Sequence, residues 1–279
     1  MILTFLIKLT AALGLVRFLM AMAIYIPLER LAPFRKQHPI LREGWLTDLA
    51  NFFFNGLLTA VIFHFWNRWV GRPGWMKPLA LNLAGQSIFV QVIATVGVGS
   101  FIYYWGHRAE HSIPLLWRFH SVHHSIERLD WLATFRGHVY DSCWSTALVA
   151  MAMAFLGLSE PTAMWFVVYR FLEGQIEHSN VRVPLGFLKW VIPSPWFHQW
   201  HHAMDAEALN KNFSPYPLWD VLFGTAYMPA DRVPERFGTD TPVPTQYLGQ
   251  LAYPFGLASQ AERLQRWAGS LLIRPRPAL

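Results

Sequence analysis

Ten of the chain's twelve histidines lie between His107 and His202, and eight of them fall in three boxes. His107 and His111 are spaced i, i+4; His120, His123, His124 and His198, His201, His202 are each spaced i, i+3, i+4. On a helix with about 100° per residue, i and i+4 lie about 40° apart, so both imidazoles of such a pair can face one point. The two HxxHH boxes and the HxxxH box supply eight imidazoles. One divalent ion takes roughly four to six ligands. With His138 and His178 counted, the set suits two metal ions in one cluster. Imidazole suits Zn, Cu, Fe and Ni, and Cys143 is the sole cysteine, so a thiolate cage is excluded. A structural zinc site needs only about four ligands, so the surplus argues for a redox or oxygen-handling pair, iron first. Soluble di-iron bundles use Glu-x-x-His pairs. None is present, so the centre is expected to be all-imidazole. His38 and His64, outside the boxes, read as bystanders.

The elements that position these boxes are apolar. The chain has 279 residues, 53% of them hydrophobic, 16% aromatic and 14% charged. A soluble domain carries roughly 25% charged residues. This composition excludes a disordered chain and points to the bilayer. Apolar stretches run over 2–27 (broken by Lys8 and Arg17), 45–70, 79–105, 142–158 and 162–176, with a turn at Gly71-Arg72-Pro73-Gly74. The first is too long for a signal peptide. The expectation is an all-α, polytopic membrane protein with about four to five membrane helices and a His-rich helical cap. Residues 1–84 would form N-terminal membrane helices, 85–228 the histidine-box domain and 229–279 a tail. If all stretches cross, 28–44, 106–141 and 177–279 share one side and carry four, four and nine Lys/Arg. The positive-inside rule puts that side in the cytoplasm. The basic residues are dispersed, so nucleic-acid binding is not expected.

Carboxylates are expected nearby, because ligating histidines usually donate their second N–H to a carboxylate or carbonyl. Glu110, Glu173, Glu177, Asp205 and Asp220 are the candidates. Arg170, Glu173 and Glu177 share one helix face, and charges inside a membrane segment face the bundle interior. Asp48, Asn51 and Asn55 share another face, as a seam packing helices or as cavity lining.

The order of the boxes resembles the fatty acid hydroxylase/sterol desaturase superfamily of integral membrane proteins. Trp105-Gly106-His107-Arg108, Leu116-Trp117, His120-Ser121-Val122-His123-His124-Ser125, His178-Ser179-Asn180, His201-His202-Ala203-Met204-Asp205, Asn212-Phe213, Trp219-Asp220 and Phe223-Gly224-Thr225 extend the likeness over roughly 85–228. The chain departs from the pattern at His138-Val139-Tyr140-Asp141, where the family has His-Pro and an acid, and at Ser214, where it often has Gly. The resemblance implies a di-iron oxygenase of a bacterial inner membrane. It would hydroxylate or desaturate an unactivated C–H of a fatty acyl chain, sterol or related lipid with O2. Electrons would come from a ferredoxin or cytochrome b5-type donor. The ligands would be His107, His111, His120, His123, His124, His138, His178, His198, His201 and His202, holding two iron ions, which zinc can replace in purified protein. Glu110, Glu173, Glu177 and Asp205 would support them. The alternatives are a non-catalytic metal-binding or metal-transport protein, and a haem cytochrome.

Overall fold

A computed structural model describes residues 2–36, 38–69, 81–260 and 263. The turn at 71–74 and residues 264–279 of the expected tail lie outside the described residues. Among the described residues the chain is helical, with two isolated β-bridges and no named strand. The apolar stretches become α1 (Ile2–Leu31), α2 (Trp45–Ala50) and α3 (Gly56–Trp69), α4 (Ile88–Ser112), α6 (Val139–Leu156) and α7 (Glu160–His178). Between α2 and α3 the rod continues through a π-helical turn at Asn51–Asn55. The histidine boxes sit on the end of α4, on α5 (Pro114–His124) and on α8 (Pro195–His201). Two further short helices, α9 (Pro217–Leu222) and α10 (Tyr247–Ala252), follow.

Three segments among the described residues are long and apolar enough to cross a membrane: Trp45–Trp66, Ile88–Ser112 and Val139–Leu156. The fifth stretch is helical where expected, but Arg170, Glu173 and Glu177 on α7 keep it from that group.

Local sequence explains the breaks. Ile113 is extended because Pro114 follows it, and the proline then opens α5. Asp130 caps the 3-10 turn Trp131–Phe135, its Oδ1 accepting from Ala133 N at 2.8 Å, and Ser194 caps α8 through Phe197 N at 3.2 Å. Helix α6 starts three residues earlier than the apolar pattern, because His138 and Asp141 form a capping box. Gly106 lets α4 approach α6: a Cβ there would lie 2.4 Å from Leu148 Cδ1.

The C-terminal end of α1 meets the histidine region. Glu29 Oε1 accepts from Trp131 N at 2.8 Å and Asn180 N at 2.9 Å, and Phe34 N donates to Asn180 O. Segments 29–36, 107–141 and 177–202 therefore gather at one end of the bundle, as the connectivity predicts. A buried ion network braces this end. Arg42 Nε meets Asp130 Oδ2 at 2.8 Å, Arg136 Nε meets Asp48 Oδ1 at 2.6 Å, and Arg42 also pairs with Asp48. Gly44, at φ +82°, leaves the space Arg136 occupies. Asp48 thus belongs to a seam rather than to a cavity. Asn51 and Asn55 do both. They bond Gln250, the Gly137 carbonyl and Tyr247, and they also line the cavity described below.

Candidate metal centre

Nine of the ten singled-out histidines converge in two abutting clusters. The first holds His107, His111, His120, His124 and His201, the second His123, His178, His198 and His202. Within each, the ligand nitrogens all lie within 4.8 Å of one another. The boxes interleave. Each i, i+4 pair serves one cluster: 107 with 111, 120 with 124, 198 with 202. The middle residue of each HxxHH box, His123 or His201, crosses to the other cluster. Neighbouring residues on a helix point about 100° apart. His123 and His124 therefore face different points, and they serve different clusters. His178, the last residue of α7, completes the second cluster.

The tenth, His138, joins neither cluster. Its Nδ1 accepts from Tyr140 N at 3.0 Å and its Nε2 lies 3.2 Å from Leu251 O. Its sequence position beside an acidic residue reflects the helix cap.

Hydrogen bonds set the direction of the imidazole lone pairs. His107 Nδ1 donates to Phe213 O at 2.7 Å, His123 Nδ1 to Arg136 O at 2.7 Å, His178 Nδ1 to Gly174 O at 2.9 Å and His201 Nδ1 to Lys211 O at 2.9 Å. A carbonyl only accepts, so Nδ1 carries the proton and Nε2 keeps its lone pair. Yet His123 Nε2 and His178 Nε2 stand 3.1 Å apart, lone pair against lone pair. Further Nε2 pairs meet at 3.0 Å: His107 with His120, His178 with His198, and His198 with His202. Buried Nε2 atoms of His111, His124 and His201 have no partner. Burial first, and mutual repulsion where the rings face one another, hold these groups neutral. His120 falls to about 3 and His123 to about 4, with His124, His198, His201 and His202 well below the usual value. Buried neutral imidazoles with converging, unshared lone pairs fit a cation between them. An all-nitrogen donor set fits a late first-row transition metal.

The carboxylates divide. Glu110 lies 3.8 Å from His120 Nδ1. Asp141, not singled out as a site carboxylate from sequence, is nearer at 3.2 Å. Its position on the cap of α6 places it there, and its place in the His138-Val139-Tyr140-Asp141 departure was the available signal. Glu177 lines the cavity with His178 and His198. Glu173 instead accepts from Tyr169 OH at 2.8 Å and pairs with Arg170. Asp205 accepts from Glu235 N at 3.2 Å in an exposed loop, at none of the imidazoles. Asp220, fully buried, accepts from Phe213 N, Ser214 N and Thr225, and so fixes the loop whose carbonyl holds His107. The backbone acceptors themselves carry no sequence signal.

A cavity of about 750 Å³ leads to this centre. Phe52, Phe53, Phe63, Phe135 and Phe171 line it together with polar residues such as Asn51, Asn55, Gln175 and Glu177, and His120, His123, His178 and His198 border it. The volume lies in the range of small-molecule sites, roughly 300–1,000 Å³.

Residues 92–225 match the fatty acid hydroxylase family model. The chain is 30% identical over 189 residues to an ornithine lipid hydroxylase (OlsE) of Rhizobium tropici, covering 67% of this chain and 57% of that one. It is 28% identical over 189 residues to an alkylglycerol monooxygenase of Homo sapiens, covering 66% and 39%. It is also 28% identical over 148 residues to a fatty acid hydroxylase (vlmA) of a Lecanicillium species, covering 48% and 40%. The chain thus spans about half the length, or less, of these curated relatives. No solved structure matches significantly. The segment matched runs from the second turn of α4 to Thr225 and contains both imidazole clusters, and over this segment the chain is similar to the fatty acid hydroxylase family.

Proposed function

We propose that this chain is a membrane-bound lipid hydroxylase whose two imidazole clusters each hold an iron ion. The observation that carries this reading is the set of Nε2 atoms of His123, His178, His198 and His202 meeting one another beside a phenylalanine-lined cavity. Iron so held supplies the activation of O2 that an unactivated C–H bond requires. The relatives named as lipid hydroxylases and monooxygenases favour insertion of oxygen over desaturation. One oxygen atom enters the lipid and the other leaves as water, the electrons coming from a separate ferredoxin or cytochrome b5-type donor. That donor would dock on the basic end formed by 28–44, 106–141 and the C-terminal region, which the charge bias puts in the cytoplasm of a bacterial inner membrane.

The chain's own residues bind, orient and exclude water. The phenylalanines of the cavity take an apolar chain and bring it to His120, His123, His178 and His198. The carbonyls of Arg136 and Gly174 fix the His123 and His178 rings, and Asp141, with Glu110 behind it, fixes His120. Such outer partners typically change metal affinity or activity about 10–100-fold.

Lipid analysis of cells with and without the chain tests the reading. The expected product is a lipid heavier by one oxygen atom, lost in His178→Ala. A product lighter by a pair of hydrogens would replace hydroxylation by desaturation. A product untouched by His178→Ala would sink the metal-centre reading.

A further inference from the structure

We propose that Arg17 anchors an acidic head, a carboxylate or phosphate ester, of the lipid whose chain reaches the imidazoles; the idea rests on the lipid-oxidation reading above. Arg17 interrupts the apolar run of α1, and its side chain lines the same cavity as His123, His178 and His198. Its guanidinium lies 4.8 Å over the Phe171 ring. The other cavity-lining arginines have acids: Arg170 pairs with Glu173, and Arg136 with Asp48. Among the described residues no carboxylate comes within 4.0 Å of Arg17. Arg17 is exposed within the first apolar stretch, and a charge in such a stretch typically faces a cavity or a partner. Here the cavity is present and the described residues offer no acid, so the occupant is the group that would supply the negative charge.

The elements that carry Arg17 also meet those that carry the second cluster. Phe171 and His178 are seven residues apart on α7, so they share a face and stand about 10 Å apart along the axis. Phe18, next to Arg17, packs on Trp131 at 5.5 Å and Phe135 at 6.5 Å, in the segment that ends at the Arg136 carbonyl holding His123. Arg17 therefore stands at the rim of the chamber rather than remote from it.

The full chain, metal-loaded in a neutral maltoside detergent, is titrated with palmitate, hexadecyl phosphate and methyl palmitate, and binding is followed by calorimetry. The expected result is that one or both acids bind about ten- to a hundredfold tighter than the ester, the range of a charge-assisted hydrogen bond. The tighter acid identifies the head. Arg17→Gln should abolish the preference while leaving ester affinity and metal content unchanged, and Arg17→Lys should retain part of it. Equal affinity for acid and ester in the unmodified chain overturns the proposal without any variant, and so does Arg17→Gln that keeps the preference. This outcome is separate from the lipid product: an acid-selective chain that changes no lipid in cells would defeat the oxidation reading and leave the anchor standing.

Discussion

The two clusters differ in how many imidazoles they hold, and that difference makes single substitutions unequal. The first has five, His107, His111, His120, His124 and His201; the second has four, His123, His178, His198 and His202. His111→Ala leaves the first with four nitrogens, still a full tetrahedral set. His198→Ala leaves the second with three, and removes the ring whose Nε2 sits 3.0 Å from both His178 and His202. Loss of a mere supporting partner typically costs about 10–100-fold in metal affinity. Loss of a ligand from the four-membered set should therefore exceed about a hundredfold, and loss from the five-membered set should stay below about tenfold. The assay is metal per chain by plasma mass spectrometry, after dialysis of the detergent-solubilised protein against a chelator. His111→Ala should keep close to the unmodified content and His198→Ala about half of it. Equal losses in the two variants, or a greater loss in His111→Ala, would refute the division into a five- and a four-imidazole site.

Two further outcomes follow from packing and titration. Gly106→Ala puts a Cβ 2.4 Å from Leu148 Cδ1, an overpacking that typically costs about 1–3 kcal/mol; thermal unfolding should show the loss, and Leu148→Ala in the same chain should recover part of it. Metal-free protein should lose stability as pH falls below about 6.5, because the unfolded chain then takes protons that buried His123 and His120 refuse until about 4 and about 3. Unfolding in the presence of chelator between pH 7 and 4 reads this directly, and a flat profile would contradict the neutral, buried imidazoles.

Much of this was legible in the residues, and the limits are physical. Most apolar stretches became helices near their expected bounds because length and mean hydropathy are local properties; the third did not, since α4 starts at Ile88 and runs on through His107 and His111 to Ser112. The i, i+4 pairs 107/111, 120/124 and 198/202 each face one cluster, because the helix repeat alone dictates it. The residue between did not follow, since 100° of rotation is enough to carry His123 or His201 to a neighbouring site. His138 was drawn in by its company, but an imidazole nitrogen can cap a helix as well as bind a metal. The supports were the least readable. Carbonyls of Arg136, Gly174, Lys211 and Phe213 come from the path of the backbone, which no side-chain pattern announces. Glu173 sits on the predicted face of α7, but Arg170 and Tyr169 hold it.

The interleaving of the boxes has a consequence for how the protein is made. One cluster ties α4, α5 and α8 together; the other ties α5, α7 and α8. Neither α5 nor α8 belongs to one site alone, and more than seventy residues of chain separate His124 from His198. A nascent chain halted after α5 carries four of the first cluster's five imidazoles but only His123 of the second cluster's four. With an ion in each, the clusters act as paired staples across long loops, closing together once α8 docks. Metal uptake would then proofread assembly mainly at the second cluster: a chain threaded with α8 rolled by one residue leaves that ion only His123 and His178.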